Sequence, residues 1–140
     1  KAPFWVADFI FTRCPSICPL LSREMKKLQV VFSGSGQNSL TQFELVSISV
    51  DPDYDTPEQL RKYIEKTGLN PQGWHFLTGD QAIIEGIMVQ GFKLGYDGQP
   101  VNHSDRMVLV DRTSHVRGYY SVSDPEHLQR LGRDVAAVLK

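Results

Sequence analysis

The chain begins with an apolar run that leads directly into an amphipathic segment. Apolar residues occupy almost every position from Phe4 to Phe11, and the exception is Asp8. A run of this kind is typical of a strand that is buried on both faces of a parallel sheet. The next apolar side chains recur at helical spacing, namely Leu21, Met25, Leu28 and Phe32. This spacing predicts a first helix that ends near residue 32.

A second strand and a second helix follow. Residues 43–50 alternate in polarity and include β-branched side chains, which predicts a strand. Thr56 then supplies an N-cap hydroxyl, Pro57 suits the first helical position, and Gln59 stands where a capping box places its third helical residue. We expect this helix to run to Gly68.

The third strand is short and precedes a helix. Residues 74–78 read as the strand, and Asp80 is the predicted N-cap of the helix, which ends at Gly91. The side chains expected to face inward from this helix are Ile83, Ile84, Ile87 and Met88.

The last third of the chain predicts a hairpin and a closing helix. Residues 106–111 and 115–120 form two strands around a turn at residues 112–114. Asp124 and Pro125 begin the helix. Its predicted apolar stripe consists of Leu128, Leu131, Val135 and Val138.

This order of elements is that of an α/β, thioredoxin-like fold. It predicts a central mixed β-sheet flanked by helices, with an inserted helix before the C-terminal hairpin. At 140 residues the chain is expected to form a single domain over residues 1–140, large enough to bury about two-thirds of its unfolded surface. Because a strand begins almost at once, we expect an N-terminally trimmed domain whose leader or anchor lies outside this sequence.

The charge balance narrows the range of partners. The chain has 15 Lys and Arg against 16 Asp and Glu, and these residues are dispersed rather than clustered. Nucleic acid and a bulk membrane surface are therefore disfavoured as partners. No apolar run has the length of a transmembrane helix, so we expect membrane attachment only through a segment missing from this chain.

Two cysteines, Cys14 and Cys18, lie between the first strand and the first helix. Pro19 suits a first helical position, so Cys18 is expected at or next to the N-cap, where unpaired N–H groups and the helix dipole favour a thiolate. At this spacing the two sulfur atoms can share a soft metal ion or form a disulfide. A purely structural disulfide is disfavoured, because closing so short a loop contributes only about 2 kcal/mol.

The four histidines differ in their positions. His75, His115 and His127 are interpreted as structural or solvated residues, on an exposed strand face, in a hairpin and on the polar side of the last helix. His103 lies in a loop before the penultimate strand. Thioredoxin-like folds bring such a segment against the N-terminus of the first helix.

Four ordered motifs resemble one protein family. Residues 8–19 resemble a CPxxCP signature, residues 49–57 an SVDPxxDTP segment and residues 74–79 a WxFLTG segment. The fourth match is His103-Ser104 followed by Leu109-Val110-Asp111. The chain is thereby similar to the Sco/SenC family of copper chaperones for cytochrome oxidase assembly. It departs from that family in lacking an N-terminal hairpin, in Ser114 where a glycine is common, and in Asp8.

The resemblance implies a copper site made by Cys14, Cys18 and His103. Thiolates suit Cu(I), and an imidazole accommodates Cu(II), whereas structural zinc normally takes four ligands. Asp55 can complete a Cu(II) sphere, although a loop or capping role is favoured for it. Asp8 is similar to the buried acid of thioredoxin-like oxidoreductases, so it is either a proton acceptor or a satisfied buried polar group.

Two functions follow from these expectations. The first is a copper metallochaperone that uses Cys14, Cys18 and His103 to supply the dinuclear copper site of cytochrome c oxidase. The alternative is a thiol-disulfide oxidoreductase that uses Cys14 and Cys18 alone to reduce the cysteines of that oxidase subunit. Expected partners are the copper-site subunit and other copper chaperones. The expected location is extracytoplasmic, in the periplasm, at the outer face of the cytoplasmic membrane or in a mitochondrial intermembrane space.

Overall fold

Five strands and four helices form the described part of the chain, which in this computed structural model comprises residues 4–13, 17–33, 43–71, 73–94 and 105–138. The strands are β1 (Phe4–Ile10), β2 (Phe43–Ser49), β3 (Trp74–Leu77), β4 (Arg106–Val110) and β5 (Val116–Ser121). The helices are α1 (Ile17–Leu28), α2 (Pro57–Thr67), α3 (Gln81–Gly86) and α4 (Pro125–Val138). Helices α1 and α3 each continue in a π-helical turn, over Gln29–Ser33 and Ile87–Gly91 respectively.

The five strands form one mixed sheet in the order β3-β2-β1-β4-β5. Strands β1, β2 and β3 are parallel, whereas β4 pairs antiparallel to both β1 and β5. This arrangement confirms the predicted thioredoxin-like fold, including the extra helix before the hairpin. Because parallel strands end at the same edge of a sheet, the chain that leaves β1 at Ile10 lies beside the chain that leaves β2 at Ser49.

Strand β1 is the central strand, and its residues from Val6 to Ile10 are all buried. The sequence prediction of a strand buried on both faces is therefore confirmed. Asp8 lies opposite Ser47 of β2 in the register, so the two side chains share one face of the sheet. The Asp8 carboxyl group is therefore completely buried in the core of the domain.

Helix α2 begins and ends at the residues that the sequence predicts. The Thr56 side chain accepts a hydrogen bond from the backbone N–H of Gln59 at 3.2 Å, and Pro57 is the first helical residue. The Thr56 backbone N–H donates to the carbonyl oxygen of Tyr54. At the other end Gly68 adopts a left-handed conformation with φ of 70°, which only glycine adopts without strain.

Helix α1 begins two residues earlier than predicted. Ile17 is its first residue, so Pro19 occupies the third position instead of the first. The first N–H groups of a helix have no acceptor within it, so proline at this position costs no hydrogen bond. Leu21 and Met25 are fully buried, and the π-helical turn ends at Ser33, close to the predicted end of the helix.

Helix α3 buries fewer apolar side chains than predicted. Ile84 and Met88 are buried, but Ile83 is 64% exposed and Ile87 is 36% exposed, so the prediction that all four face inward was wrong for these two. Residues four apart lie on one side of a helix, whereas the next residue along is rotated by about 100°. The Asp80 cap was predicted correctly, since its side chain accepts from a backbone N–H at 2.9 Å.

The predicted hairpin forms, and Asp111 organises its turn. The Asp111 carboxylate accepts hydrogen bonds from the backbone N–H groups of His115 and Thr113 and from the Thr113 hydroxyl. The bond from the backbone of His115 is the largest of these effects, which together lower the pKa of Asp111 to about 2. Ser114 in the same turn has a left-handed backbone, with φ of 66°.

Helix α4 packs on the sheet beside β5. Leu131 and Val135 of the predicted apolar stripe are buried, and Leu128 is partly buried. The side chain of Val138 lies outside the described residues. Tyr120 of β5 donates a hydrogen bond from its hydroxyl to the Asp134 carboxylate at 2.6 Å, which links the sheet to the helix.

Candidate metal and redox site

Most atoms of the predicted ligands are outside the described residues. Cys14 and His103 fall outside them, and of Cys18 only the backbone is described. Within the described residues, no group of three or more His, Cys, Asp or Glu side chains is placed to hold a metal ion. The three-ligand site therefore stays a prediction, and the structure bears on it through the residues around it.

Cys18 is the second residue of helix α1. The sequence predicts Cys18 at or next to the N-cap; because α1 begins at Ile17, Cys18 instead lies further inside the first turn. Unpaired N–H groups and the positive end of the helix dipole stabilise a thiolate at such a position. No acidic side chain is present in the first turn to oppose this effect. The helix therefore supplies an environment that suits a nucleophilic or metal-binding sulfur.

Asp55 holds the chain segment that leads to Cys14. Its carboxylate is completely buried and accepts hydrogen bonds from the Thr12 backbone N–H at 3.0 Å and from the Thr12 hydroxyl at 2.5 Å. The Ser49 hydroxyl donates a third bond at 2.7 Å. We call these three residues, Thr12, Ser49 and Asp55, the Asp55 cluster. The cluster fixes the backbone two residues before Cys14 against the end of β2.

Arg13 forms a second connection between the same two loops. One of its guanidinium nitrogens lies 2.7 Å from the Asp51 carboxylate. The central carbon of the guanidinium group, Cζ, lies 4.1 Å from the centre of the Tyr54 ring. The Arg13 side chain is 57% exposed, so the ion pair contributes little to stability. Its main effect is to hold a cationic side chain in a defined direction, next to Cys14 in the sequence.

Asp8 is a buried acid with one unpartnered oxygen. Its Oδ1 accepts a hydrogen bond from the Ser47 hydroxyl at 2.5 Å, and the Trp74 indole N–H donates to the same hydroxyl at 3.0 Å. Its Oδ2 is buried and has no hydrogen-bond partner among the described residues. Burial raises the pKa of Asp8 to about 7, against a smaller lowering by the bond from Ser47. The interpretation of Asp8 as a satisfied polar group holds for only one of its oxygens.

The three other histidines have the structural roles that the sequence predicted. His75 is exposed on β3 and pairs with Glu44, its Nε2 lying 2.6 Å from a carboxylate oxygen. His115 contacts the Thr113 hydroxyl within the hairpin turn. His127 accepts a hydrogen bond from the backbone N–H of Ser121 at 3.0 Å.

Sequence reasoning placed Asp55 correctly but missed its partners. Its favoured role as a loop residue is confirmed, because Thr12 and Ser49 occupy both carboxylate oxygens. The hydroxyl residues Thr12, Ser47 and Ser49 were not singled out. A signal was present, since Thr12 and Ser49 follow or end two predicted parallel strands, whose carboxyl ends share one edge of the sheet.

The amino-acid sequence is similar to those of known bacterial proteins. A Bacillus subtilis relative, named SCO1 protein homolog, is 38% identical and aligns with 66% of this chain and 47% of its own length. A Stutzerimonas stutzeri relative, described as a candidate copper-binding protein, is 30% identical over 99% of this chain and 67% of its own length. The chain thus spans about half of the length of the first of these relatives and about two-thirds of the length of the second. No helix in the described residues has the length and apolar composition needed to cross a membrane.

Comparison of the fold with solved structures also identifies relatives of the Sco family. The solved structure of BsSco, described as a member of the Sco family of cytochrome c oxidase assembly proteins with a disulfide switch, is 31% identical. It superposes with a TM-score of 0.80 over 97% of this chain and 80% of its own. The SCO1/SenC family model matches residues 1–140. With this match over the whole length and a thioredoxin-like sheet in the described residues, the chain belongs to the SCO1/SenC family.

Proposed function

We propose that this domain binds copper as cargo and delivers it to the subunit that carries the dinuclear copper site of cytochrome c oxidase. The S. stutzeri relative is described as a candidate copper-binding protein, and BsSco is described within a family of oxidase assembly proteins. The observation that carries the proposal is the position of Cys18 in the first turn of α1, in the chain segment that follows Thr12, whose backbone Asp55 holds.

In this proposal copper is held by Cys14, Cys18 and His103. Two thiolates and an imidazole form a donor set that suits copper in both of its common oxidation states. The described residues support this donor set through the chain on either side of the cysteine motif. Thr12 is fixed before the motif by Asp55, and helix α1 is fixed after it through buried Leu21 and Met25.

A second function is favoured by Asp8. A dithiol that reduces a target disulfide must release protons as its own disulfide forms, so a buried acid with a pKa near neutrality is a suitable acceptor. Burial gives Asp8 a pKa of about 7, and its Oδ2 has no partner among the described residues. The disulfide switch described for BsSco agrees with redox chemistry at such a cysteine pair. This candidate is a thiol-disulfide oxidoreductase acting on the cysteines of the oxidase subunit.

Both candidates place the domain outside the cytoplasm. Disulfides persist in oxidising compartments, and a cysteine pair that cycles between two states needs access to one. We therefore propose a location in the periplasm or at the outer face of the cytoplasmic membrane, or in the intermembrane space in a eukaryote. The partners are the copper-site subunit and other copper chaperones that load the domain.

The His103→Ala variant separates the two functions. A copper site that loses its imidazole keeps two thiolates, which still bind Cu(I), but it no longer stabilises Cu(II). We expect the visible thiolate-to-Cu(II) absorption to disappear or shift while part of the Cu(I) binding remains. The variant should also fail to support assembly of a copper-loaded oxidase.

The same variant gives the opposite result for an oxidoreductase. Reduction of disulfide substrates by Cys14 and Cys18 does not require an imidazole at position 103. Normal oxidase assembly by His103→Ala, with an unchanged dithiol reduction potential, would therefore favour the reductase over the chaperone. His75→Ala is the control, because His75 is exposed on β3 and is not a proposed ligand.

A further inference from the structure

A cleft of about 420 Å³ lies beside the segment that leads to Cys14. Its walls come from three parts of the chain, namely the residues that follow β1, the loop after β2, and helix α2. The residues that line it are Thr12, Arg13, Tyr54, Gln59, Lys62, Tyr63 and Lys66. We call this surface the basic cleft.

The lining of the basic cleft contains three cations and no carboxylate. The chain as a whole has a net charge of −1, so this local excess is not a property of the entire surface. Lys62 is paired only with Glu58, at 4.0 Å between two largely exposed side chains, and such a pair contributes little. Lys66 makes no ion pair with the described residues. The positive charge available to a partner therefore comes from Lys66 and, to a lesser degree, from Lys62, whereas Arg13 is already paired with Asp51.

Arg13 and Tyr54 give the basic cleft the character of a protein interface. The guanidinium group of Arg13 lies over the Tyr54 ring, and both side chains are more than one-third exposed. Arg and Tyr are enriched among the residues that dominate binding at protein interfaces. The Asp51 carboxylate, which pairs with Arg13, occupies only part of the guanidinium's five N–H donors.

We infer that the basic cleft binds a carboxylate-bearing segment of the protein that exchanges copper or disulfides with Cys14 and Cys18. This inference rests on the proposed function, because it names the chemistry of the partner at the same site. Arg13 lines the cleft and is adjacent to Cys14 in the sequence, and Thr12 before it is held by Asp55, so a chain seated in the cleft contacts the residues that directly precede Cys14. Acidic side chains of the partner would orient its own sulfur atoms toward this segment.

A protein segment fits the cleft better than a small free anion. All three cations are exposed, so a single anion gains little from any one of them. Several carboxylates on one segment contact all three at once, and their attraction accelerates and orients the encounter. This attraction is screened at high ionic strength.

The test uses the reduced, metal-free protein and two short cysteine peptides that differ only in charge. One peptide carries aspartates beside its cysteine, and the other carries lysines. Each peptide cysteine is first joined to 5-thio-2-nitrobenzoate by a disulfide. A protein thiolate attacks the peptide sulfur, so a protein–peptide disulfide forms and the coloured thiolate is released with the electron pair of the broken bond. The visible absorption of the released group gives the rate.

We expect the acidic peptide to react roughly tenfold faster than the basic peptide at low salt, and this preference should shrink at about 0.5 M salt. The Lys62→Glu/Lys66→Glu variant should lose or reverse the preference, and Lys62→Gln/Lys66→Gln should reduce it. The control is Lys26→Glu/Arg133→Glu, which makes the same change in net charge at exposed positions of α1 and α4 outside the cleft. Unfolding curves would verify that all variants are folded.

Equal rates for the two peptides with the wild-type protein, or the same loss of preference in the control and cleft variants, would overturn the inference. The assay contains no copper and no oxidase. A failure of copper binding would therefore contradict the proposed chaperone function and leave this result unaffected. Conversely, a protein that binds copper but shows no charge preference would retain its proposed function without this partner surface.

Discussion

Asp55 and Thr12 are 43 positions apart in the chain and are joined by two hydrogen bonds, one to the backbone N–H of Thr12 and one to its hydroxyl. A third bond, from Ser49 at the end of β2, reaches the same buried carboxylate. The SVDPxxDTP segment is therefore in contact with the residue that lies two positions before Cys14. An acid that can be mistaken for a metal ligand instead fixes the backbone that precedes the cysteines.

Replacing Asp55 by Asn should destabilise the protein by about 2–4 kcal/mol, because hydrogen bonds to a charged acceptor are strong and an amide nitrogen cannot accept them. Urea unfolding would measure the loss. Asp53→Asn is the control, since Asp53 is exposed in the same loop and should change stability by less than about 0.5 kcal/mol. Equal stability of the two variants would show that the Asp55 cluster does not hold the loop.

Asp8 should make the stability of the protein depend on pH. Burial raises its pKa from 3.8 to about 7, so the folded state keeps a proton that the unfolded state has already lost between these values. Stability attributable to Asp8 is therefore complete below about pH 4 and is lost as the pH rises to about 7. At 1.36 kcal/mol per pKa unit, the upper limit of this loss is about 4 kcal/mol.

The Asp8→Asn variant tests this dependence, because asparagine does not titrate. The difference in unfolding free energy between the variant and the wild type should shift in favour of the variant from pH 4 to pH 7, and should then remain constant. Unfolding in urea over this range would measure it. Parallel pH profiles of the two proteins would mean that the carboxyl group titrates at an ordinary pKa.

Replacing Ser114 by glycine should stabilise the protein. Its φ of 66° lies in the left-handed region, which costs a residue with a Cβ atom roughly 1 kcal/mol. We expect Ser114→Gly to stabilise the protein by about 0.5–1 kcal/mol in thermal or urea unfolding. Gly68→Ser makes the reverse change at a φ of 70° and should destabilise it. Destabilisation by Ser114→Gly would indicate that the hydroxyl has a role in the turn.

Copper binding should depend on the oxidation state of the cysteine pair. The reduced protein should bind a single copper ion and hold it more tightly than zinc, whereas the oxidised protein should bind none at that site, because both thiolates are consumed by the disulfide. Cys14→Ala and Cys18→Ala should each behave like the oxidised form. Metal titration followed by visible absorption would measure this, and full copper affinity in Cys14→Ala would disprove the proposed ligand set.

Local patterns were sufficient to predict most of the secondary structure. Thr56, Pro57 and Gly68 delimit α2 through interactions with their own neighbours in the chain, so the sequence reveals them directly. Strand β1 was recognised for a similar reason, since a strand buried on both faces must be apolar along its whole length.

The predictions that were wrong concern which helical side chains are buried and the residue at which a helix begins. Ile83 and Ile87 are as apolar as Ile84, but only one side of α3 and its π-helical turn faces the core, so Ile83 is 64% exposed and Ile87 is 36% exposed. Pro19 was placed at the first helical position because proline is common there, whereas α1 begins at Ile17. Neither outcome can be derived from a local pattern, because such a pattern gives neither the side of a helix that packs on the core nor the exact residue at which the helix begins.

The sequence by itself determined the family and the presence of Cys18 near the start of a helix, since these depend on motifs and on residues close together in the chain. Only the tertiary structure decided the roles of Asp55 and Asp8. Asp55 is a structural acceptor because the parallel strands β1 and β2 bring Thr12 and Ser49 to it. Asp8 has a raised pKa because the core around it excludes water, while Ser47 partners only one of its oxygens.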